Sequence, residues 1–147
     1  MISSKRPITP EDMADFVHLS DVQISPDGAL VAFVAGDYFK VDSASAKRQI
    51  WVVSTDAGAA RPFTGGSRTD NTPRWSPDGR TLAFLSDRLE DGQAQIYLLE
   101  RDGGEARRLT NLQGAINELE WSPDGTQLAF LLTDPATEEE QRREDAA

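Results

Sequence analysis

Two short modules recur in step along this chain. The first reads QISPDGALVAFVAGD at Gln23 to Asp37, RWSPDGRTLAFLSDR at Arg74 to Arg88 and EWSPDGTQLAFLLTD at Glu120 to Asp134; the last two agree at nine of fifteen positions. The second reads IWVVSTDAGAARPFT at Ile50 to Thr64 and IYLLERDGGEARRLT at Ile96 to Thr110. The Ser-Pro-Asp-Gly starts lie 51 and then 46 residues apart, and the second modules lie 46 apart. Two independent modules in nearly one register describe a row of like units, each burying its faces against its neighbours.

Each module has the chemistry of a hairpin. In Ser76-Pro77-Asp78-Gly79, Pro presets φ at the first central position of a type I turn. Asp bonds nearby backbone N–H groups, and Gly accepts the left-handed residue that follows. The flanks Arg74-Trp75 and Leu82-Ala83-Phe84-Leu85 are strand formers. The second module opens on Ile96-Tyr97-Leu98-Leu99, turns at Asp102-Gly103-Gly104 and returns from about Arg107 to Thr110. A repeat therefore holds about four short strands. Runs such as Val31-Ala32-Phe33-Val34 are apolar throughout, whereas a sheet with one wet face alternates. Burial on both faces and a repeat of about 40–50 residues match stacked propeller blades. A β-sandwich needs no identical turn at a fixed period.

The expected fold is all-β: an incomplete β-propeller of about two and a half four-stranded antiparallel blades with a short N-terminal helix. Residues 1–18 form an N-terminal extension, and its helix starts at Thr9-Pro10-Glu11-Asp12 and runs to about Val17. Blade 1 spans 19–64, blade 2 spans 69–110, and 116–134 is the first hairpin of blade 3. Residues 135–147 are a charged tail. One copy falls short of the roughly 4–8 blades that close a ring, and its open blade edges offer a surface for self-association.

The chain carries 25 acidic against 15 basic residues, a net charge of -10. That balance speaks against nucleic acid and against anionic membranes as partners. With no cysteine there is no disulfide or thiolate metal site. No secretory signal is visible in Met1 to Pro7, and no apolar run approaches a membrane span of roughly 18 residues. These features set the expectation of a soluble, cytoplasmic protein.

Few residues offer chemistry. Asp27, Asp78 and Asp124 sit singly in their turns, where turn geometry accounts for them better than cation binding. Asp87-Arg88 reads as a local ion pair or a strand-end contact. Trp51, Trp75 and Trp121 read as packing between blades. His18 has no spacing that links it to Ser20 or Ser25 as base and nucleophile. Gly65-Gly66-Ser67 lacks the length, Lys and helix of a phosphate loop. No catalytic, cofactor or metal residue is expected.

The opening PITPEDMADFVHLSDVQISPDG, with WSPDGRTLAFLSDR and IYLLERDGGEARRLT, resembles the start of the propeller in bacterial prolyl-oligopeptidase-family serine peptidases. The acylaminoacyl-peptidase and dipeptidyl-peptidase branch is the nearest likeness. The WSPDG and LAF elements also resemble the propeller of the TolB translocation protein. The peptidase resemblance implies remaining blades and a separate α/β-hydrolase domain with a G-x-S-x-G nucleophile elbow, neither of them in this sequence. It also implies a propeller that covers the active site and admits short or unfolded peptide substrates. In dipeptidyl-peptidase relatives paired glutamates bind the substrate amino group; the candidates by resemblance are Glu138 and Glu139, but with no matching motif around them they read as part of a solvated charged stretch. The alternative is a stand-alone TolB-like interaction module that closes by self-association.

Overall fold

The computed structural model describes Thr9 and residues 17–37, 47–65 and 68–135. Ten strands follow one another: β1 (Val17–Ile24), β2 (Leu30–Asp37), β3 (Arg48–Ser54), β4 (Arg61–Pro62), β5 (Asp70–Trp75), β6 (Thr81–Ser86), β7 (Gln95–Glu100), β8 (Arg107–Arg108), β9 (Ala115–Trp121) and β10 (Leu128–Thr133). They form two four-stranded antiparallel sheets, β1-β2-β3-β4 and β5-β6-β7-β8, and the hairpin β9-β10. The structure is therefore two complete blades and half of a third. No described residue is helical.

The N-terminal expectation is corrected at one point. Val17 and His18 do not end a helix or belong to an extension; they pair with Asp37 and Gly36 as the first residues of β1. Pairing with β2 satisfies their backbone groups in a ladder. Residues 10–16, the rest of the expected helix, lie outside the described residues.

The apolar runs divide by alternation between two seams. In β6, Leu82 and Phe84 join Tyr97 and Leu99 of β7 in one cluster with Ala32, Val34, Ile50 and Val52 of blade 1. The intervening Ala83 and Leu85, with Ile96, join Ile116 and Leu119 of β9 in a second cluster, against which Leu128 and Phe130 pack. Blade 2 is thus buried on both faces, and Leu82, Ala83, Phe84 and Ile96 have no exposed surface. Blade 1 uses only one face in this way. Val31, Phe33, Trp51 and Val53 are paired on its other face, where they remain half-buried.

The first strand of each sheet carries a bulge. The β1–β2 register breaks between Ser20 and Gln23, the β5–β6 register between Asn71 and Arg74, and the β9–β10 register beside Phe130. The extra residues Asp21, Thr72 and Glu118 have φ of 48°, 53° and 50°. All three stand four residues before a turn serine. The strand coils at these points, as bulged strands do.

Removal of a side chain sealed between blades leaves a cavity as well as losing its transfer energy. Phe84→Ala should cost about 3–5 kcal/mol, whereas Leu131→Ala, at a site 57% exposed, should change stability by less than about 0.5 kcal/mol. Urea denaturation of the two variants checks the contrast; equal losses would mean that blade 2 is not the buried centre.

Candidate functional site

The strongest constellation among the described residues is the polar seam that holds the turns and first strands of successive blades in line. It is built from the turn serines upward. In the first turn, Ser25 Oγ donates to Asp27 Oδ1 at 2.6 Å and accepts the Leu30 N–H at 2.9 Å. Asp27 Oδ1 also accepts the Ala29 N–H at 3.1 Å. The Gly28 N–H returns to the Ser25 carbonyl at 2.8 Å, and Gly28 takes φ 72°. Ser76 and Asp78 repeat the set at 2.6, 3.0 and 3.1 Å, and Ser122 and Asp124 at 2.6, 2.9 and 3.1 Å. The serine is the hub that the sequence alone left unassigned; its hydroxyl ties the aspartate to the strand that leaves the turn.

These bonds favour the carboxylate. The Ser122 hydroxyl, then the Thr126 N–H and hydroxyl, lower the Asp124 carboxyl to about 2. The Ser25 hydroxyl, the Ala29 N–H and Arg101 hold Asp27 far below the ordinary range, and the Ser76 hydroxyl and Arg80 N–H lower Asp78. All three aspartates are spent on turns, as expected. Among the described residues, Asp27 alone of the three also pairs with a cation from another blade, Arg101 Nη1 at 2.7 Å.

Successive turns touch. A Cβ on Gly79 would lie 3.4 Å from Pro26 Cδ, and one on Gly125 would lie 3.5 Å from Pro77 Cδ. The proline of one blade thus covers the glycine of the next. Beside this line runs a charged row on the first strands. Arg74 Nη1 donates to Asp21 Oδ1 of blade 1 at 2.8 Å, and Arg74 Nε stands 3.9 Å from Glu120 Oε2 of the third hairpin. The Arg74 carbonyl accepts the Trp121 Nε1–H at 3.0 Å. Arg74 therefore contacts both neighbours of its own blade. Sequence reasoning missed it because residues two before the serine are Gln23, Arg74 and Glu120, which share no chemistry.

At the far end of blade 2, Asp70 is buried, with a side chain only 3% exposed. It is met by Arg88 Nη2 at 3.2 Å. The guanidinium carbon lies 4.5 Å from the Tyr97 ring centre and 5.3 Å from that of Phe84, a cation–π arrangement. Of the two readings of Asp87-Arg88, the ion pair is replaced by this longer-range one and the strand-end contact holds. Asp87 instead accepts the Thr69 and Gly92 N–H groups at 2.9 and 3.3 Å. Gln95 closes the blade: its Oε1 accepts the Thr110 hydroxyl and the Leu112 N–H at 2.8 and 2.9 Å, and its Nε2 donates to the Leu112 carbonyl at 2.8 Å. Gln49 makes the matching bond to the Thr64 carbonyl in blade 1.

Trp75 and Trp121 pack in the two seams as expected. Trp51 does not: it pairs with Phe33 on the face of blade 1 that no described residue covers. Ser25 is buried, and its hydroxyl is committed to Asp27 and the Leu30 N–H of its turn. Glu138 and Glu139 lie outside the described residues, as does the Gly66-Ser67 part of the glycine loop. No group of three or more metal-ligating side chains occurs among the described residues. A polar cavity of about 80 Å³ lined by Ser86, Gln93, Gln95, Tyr97 and Arg108 is far below the roughly 300 Å³ of an ordinary ligand pocket. The seam can hold blades in register; it has no acid–base pair aimed at a substrate.

Comparison with known proteins agrees with this geometry. Residues 17–142 match the model of the TolB beta propeller domain family. The chain is 41% identical over 87 residues to the Bacillus subtilis (strain 168) protein named "Uncharacterized peptidase YuxL", an overlap of 59% of this chain and 13% of that protein. The acylaminoacyl peptidase of Pyrococcus horikoshii shares the fold with a TM-score of 0.62 at 24% identity, covering 80% of this chain and 17% of that one. TolB from Acinetobacter baumannii does so with a TM-score of 0.62 at 24% identity, covering 79% and 27%. The chain spans a small part of each relative's length.

Two outcomes follow from the seam. Each turn aspartate titrates lower in the fold than in the unfolded chain. Its contribution is therefore complete above the unfolded value of about 4 and is lost as pH falls through the folded value. The difference in thermal midpoint between wild type and Asp124→Asn should hold constant above about pH 5 and shrink between about pH 4 and 2; a difference that ignores pH would refute the turn assignment. Separately, Arg88→Met strands a buried carboxylate and should cost about 3 kcal/mol, with roughly half regained when Asp70→Asn is added. A double-mutant cycle in urea measures this coupling, and strict additivity would disprove it.

Proposed function

Because the chain belongs to the TolB beta propeller domain family, we propose that it serves as a non-catalytic segment of the propeller that caps a serine peptidase of the prolyl-oligopeptidase family. The observation that carries this reading is the 41% identity over 87 residues to a protein named as a peptidase, in a chain whose described residues form blades. The sequence has a single histidine and no G-x-S-x-G segment. The reading therefore assigns nucleophile, base and oxyanion hole to an α/β-hydrolase domain on other residues of the longer protein. The propeller's part is steric. Blades packed on both faces form a stiff wall, and a stiff wall around an active site admits a short or unfolded peptide and turns away a folded one. Rigidity is what the seam supplies, through hydrophobic burial and the Asp21–Arg74 and Asp27–Arg101 pairs.

A second reading, a TolB-like interaction module with no peptidase attached, is favoured by the fold likeness to TolB from Acinetobacter baumannii. The two differ in what the coding sequence holds beyond Ala147: more repeats followed by a G-x-S-x-G elbow under the first, further repeats without it under the second.

The purified chain is expected to release no product from aminoacyl-nitroanilide or ester substrates. Turnover that a serine-directed phosphonate abolishes would overturn the non-catalytic assignment.

A further inference from the structure

The first seam shows what an incoming blade can bring, and the third hairpin has a face prepared for one. Asp21, Thr72 and Glu118 occupy the same bulge, and Gln23, Arg74 and Glu120 the same position two residues later. In the first seam the bulge residue of one blade, Asp21, takes the position-two residue of the next, Arg74, at 2.8 Å. The faces follow the same rule. Ala83 and Leu85 of β6 point toward the following unit, and their counterparts in β10 are Ala129 and Leu131. Ala129 and Leu131 line an open groove of about 370 Å³ with Arg74, Glu118, Leu119, Glu120 and Phe130. The groove holds two exposed carboxylates and one guanidinium; Arg74 bonds Asp21 and stands 3.9 Å from Glu120, so among the described residues Glu118 is the groove carboxylate it does not pair with.

We propose that this groove docks a further β-blade carrying arginine or lysine two residues before its turn serine, with Glu118 as the carboxylate that selects the cation. Glu118 stands to that blade as Asp21 stands to blade 2. Charge complementarity sets the choice: a neutral residue at the position leaves an acidic groove uncompensated, and an acidic one is repelled. A second copy of this chain presents Gln23 there, so it has the right shape and the wrong charge. The inference rests on blade packing and not on the peptidase reading, so the two fail separately.

That mismatch provides the probe. A Gln23→Arg chain offers its first blade, now with the cation, to the third hairpin of another copy. Sedimentation equilibrium at low salt should show its head-to-tail association strengthened at least about fivefold over wild type, with Gln23→Lys behaving alike. Adding Glu118→Gln should return association to the wild-type level, and thermal melts should show all variants folded. Gln23→Arg and Gln23→Lys chains that sediment as wild type does, or a gain that survives Glu118→Gln, would overturn the proposal.

Discussion

A sheet that is apolar on both faces cannot exist alone in water, and this constraint governs the rest of the structure. Strand β6 is the extreme case: Leu82 and Phe84 go one way, Ala83 and Leu85 the other, and none reaches solvent appreciably. Burying a side chain of the size of Leu or Phe contributes roughly 1.5–3 kcal/mol. Strand β6 collects that on both faces only when blade 1 and the third hairpin are both in place. Blades in such a row stabilise one another by contact with nearest neighbours, so the position of a blade in the row decides how much of its apolar surface is covered. Blade 2 is sealed, blade 1 is sealed on one face, and β10 leaves Leu131 exposed.

Burial of this kind has no direction and tolerates slippage, so register must come from elsewhere. The turns provide it. Each Ser-Pro-Asp-Gly turn is fixed internally by its serine hydroxyl and placed externally by proline over glycine, twice in succession at nearly the same spacing. At the opposite end of the strands, Gln49 with Thr64 and Gln95 with Thr110 tie each blade to the segment that leaves it. A blade gripped at both ends cannot shift by one residue, a shift that would move each of its apolar side chains to the wrong face.

The elements legible in the sequence were those whose chemistry repeats. The turn tetrapeptide and the apolar run after it recur as letters, so hairpins, blade period and two-faced burial could all be read from them. The bulges could not. Asp21, Thr72 and Glu118 adopt one left-handed conformation with three unrelated side chains, because the register of the flanking strand imposes it. Thr72 is β-branched and so unfavourable there, which hides the position further. Arg74 escaped notice for the same reason, since its role depends on a bulge 53 residues away in blade 1. Of the two readings of Asp87-Arg88, the strand-end contact holds for Asp87, while the buried Asp70 takes the guanidinium that adjacency offered to Asp87. Trp51 holds the position of Tyr97, which faces the preceding blade, and among the described residues no blade precedes blade 1.

Stability and specificity therefore reside in different atoms of the same seam. The apolar clusters would accept any blade of suitable shape, and their side chains at matched positions are near synonyms: Val31, Leu82 and Leu128, or Phe33, Phe84 and Phe130. The polar residues at matched positions are not synonyms. The row Asp21, Thr72, Glu118 and the row Gln23, Arg74, Glu120 change character from blade to blade, so each seam carries a different pairing. Repeats that are too alike can pack out of order, and distinct charges at otherwise equivalent seams exclude the wrong neighbours. An arginine between two carboxylates places blade 2 in the middle, because only there does it meet an acid on either side. The order of blades is written in the residues that vary, while the shape of each blade is written in the residues that do not.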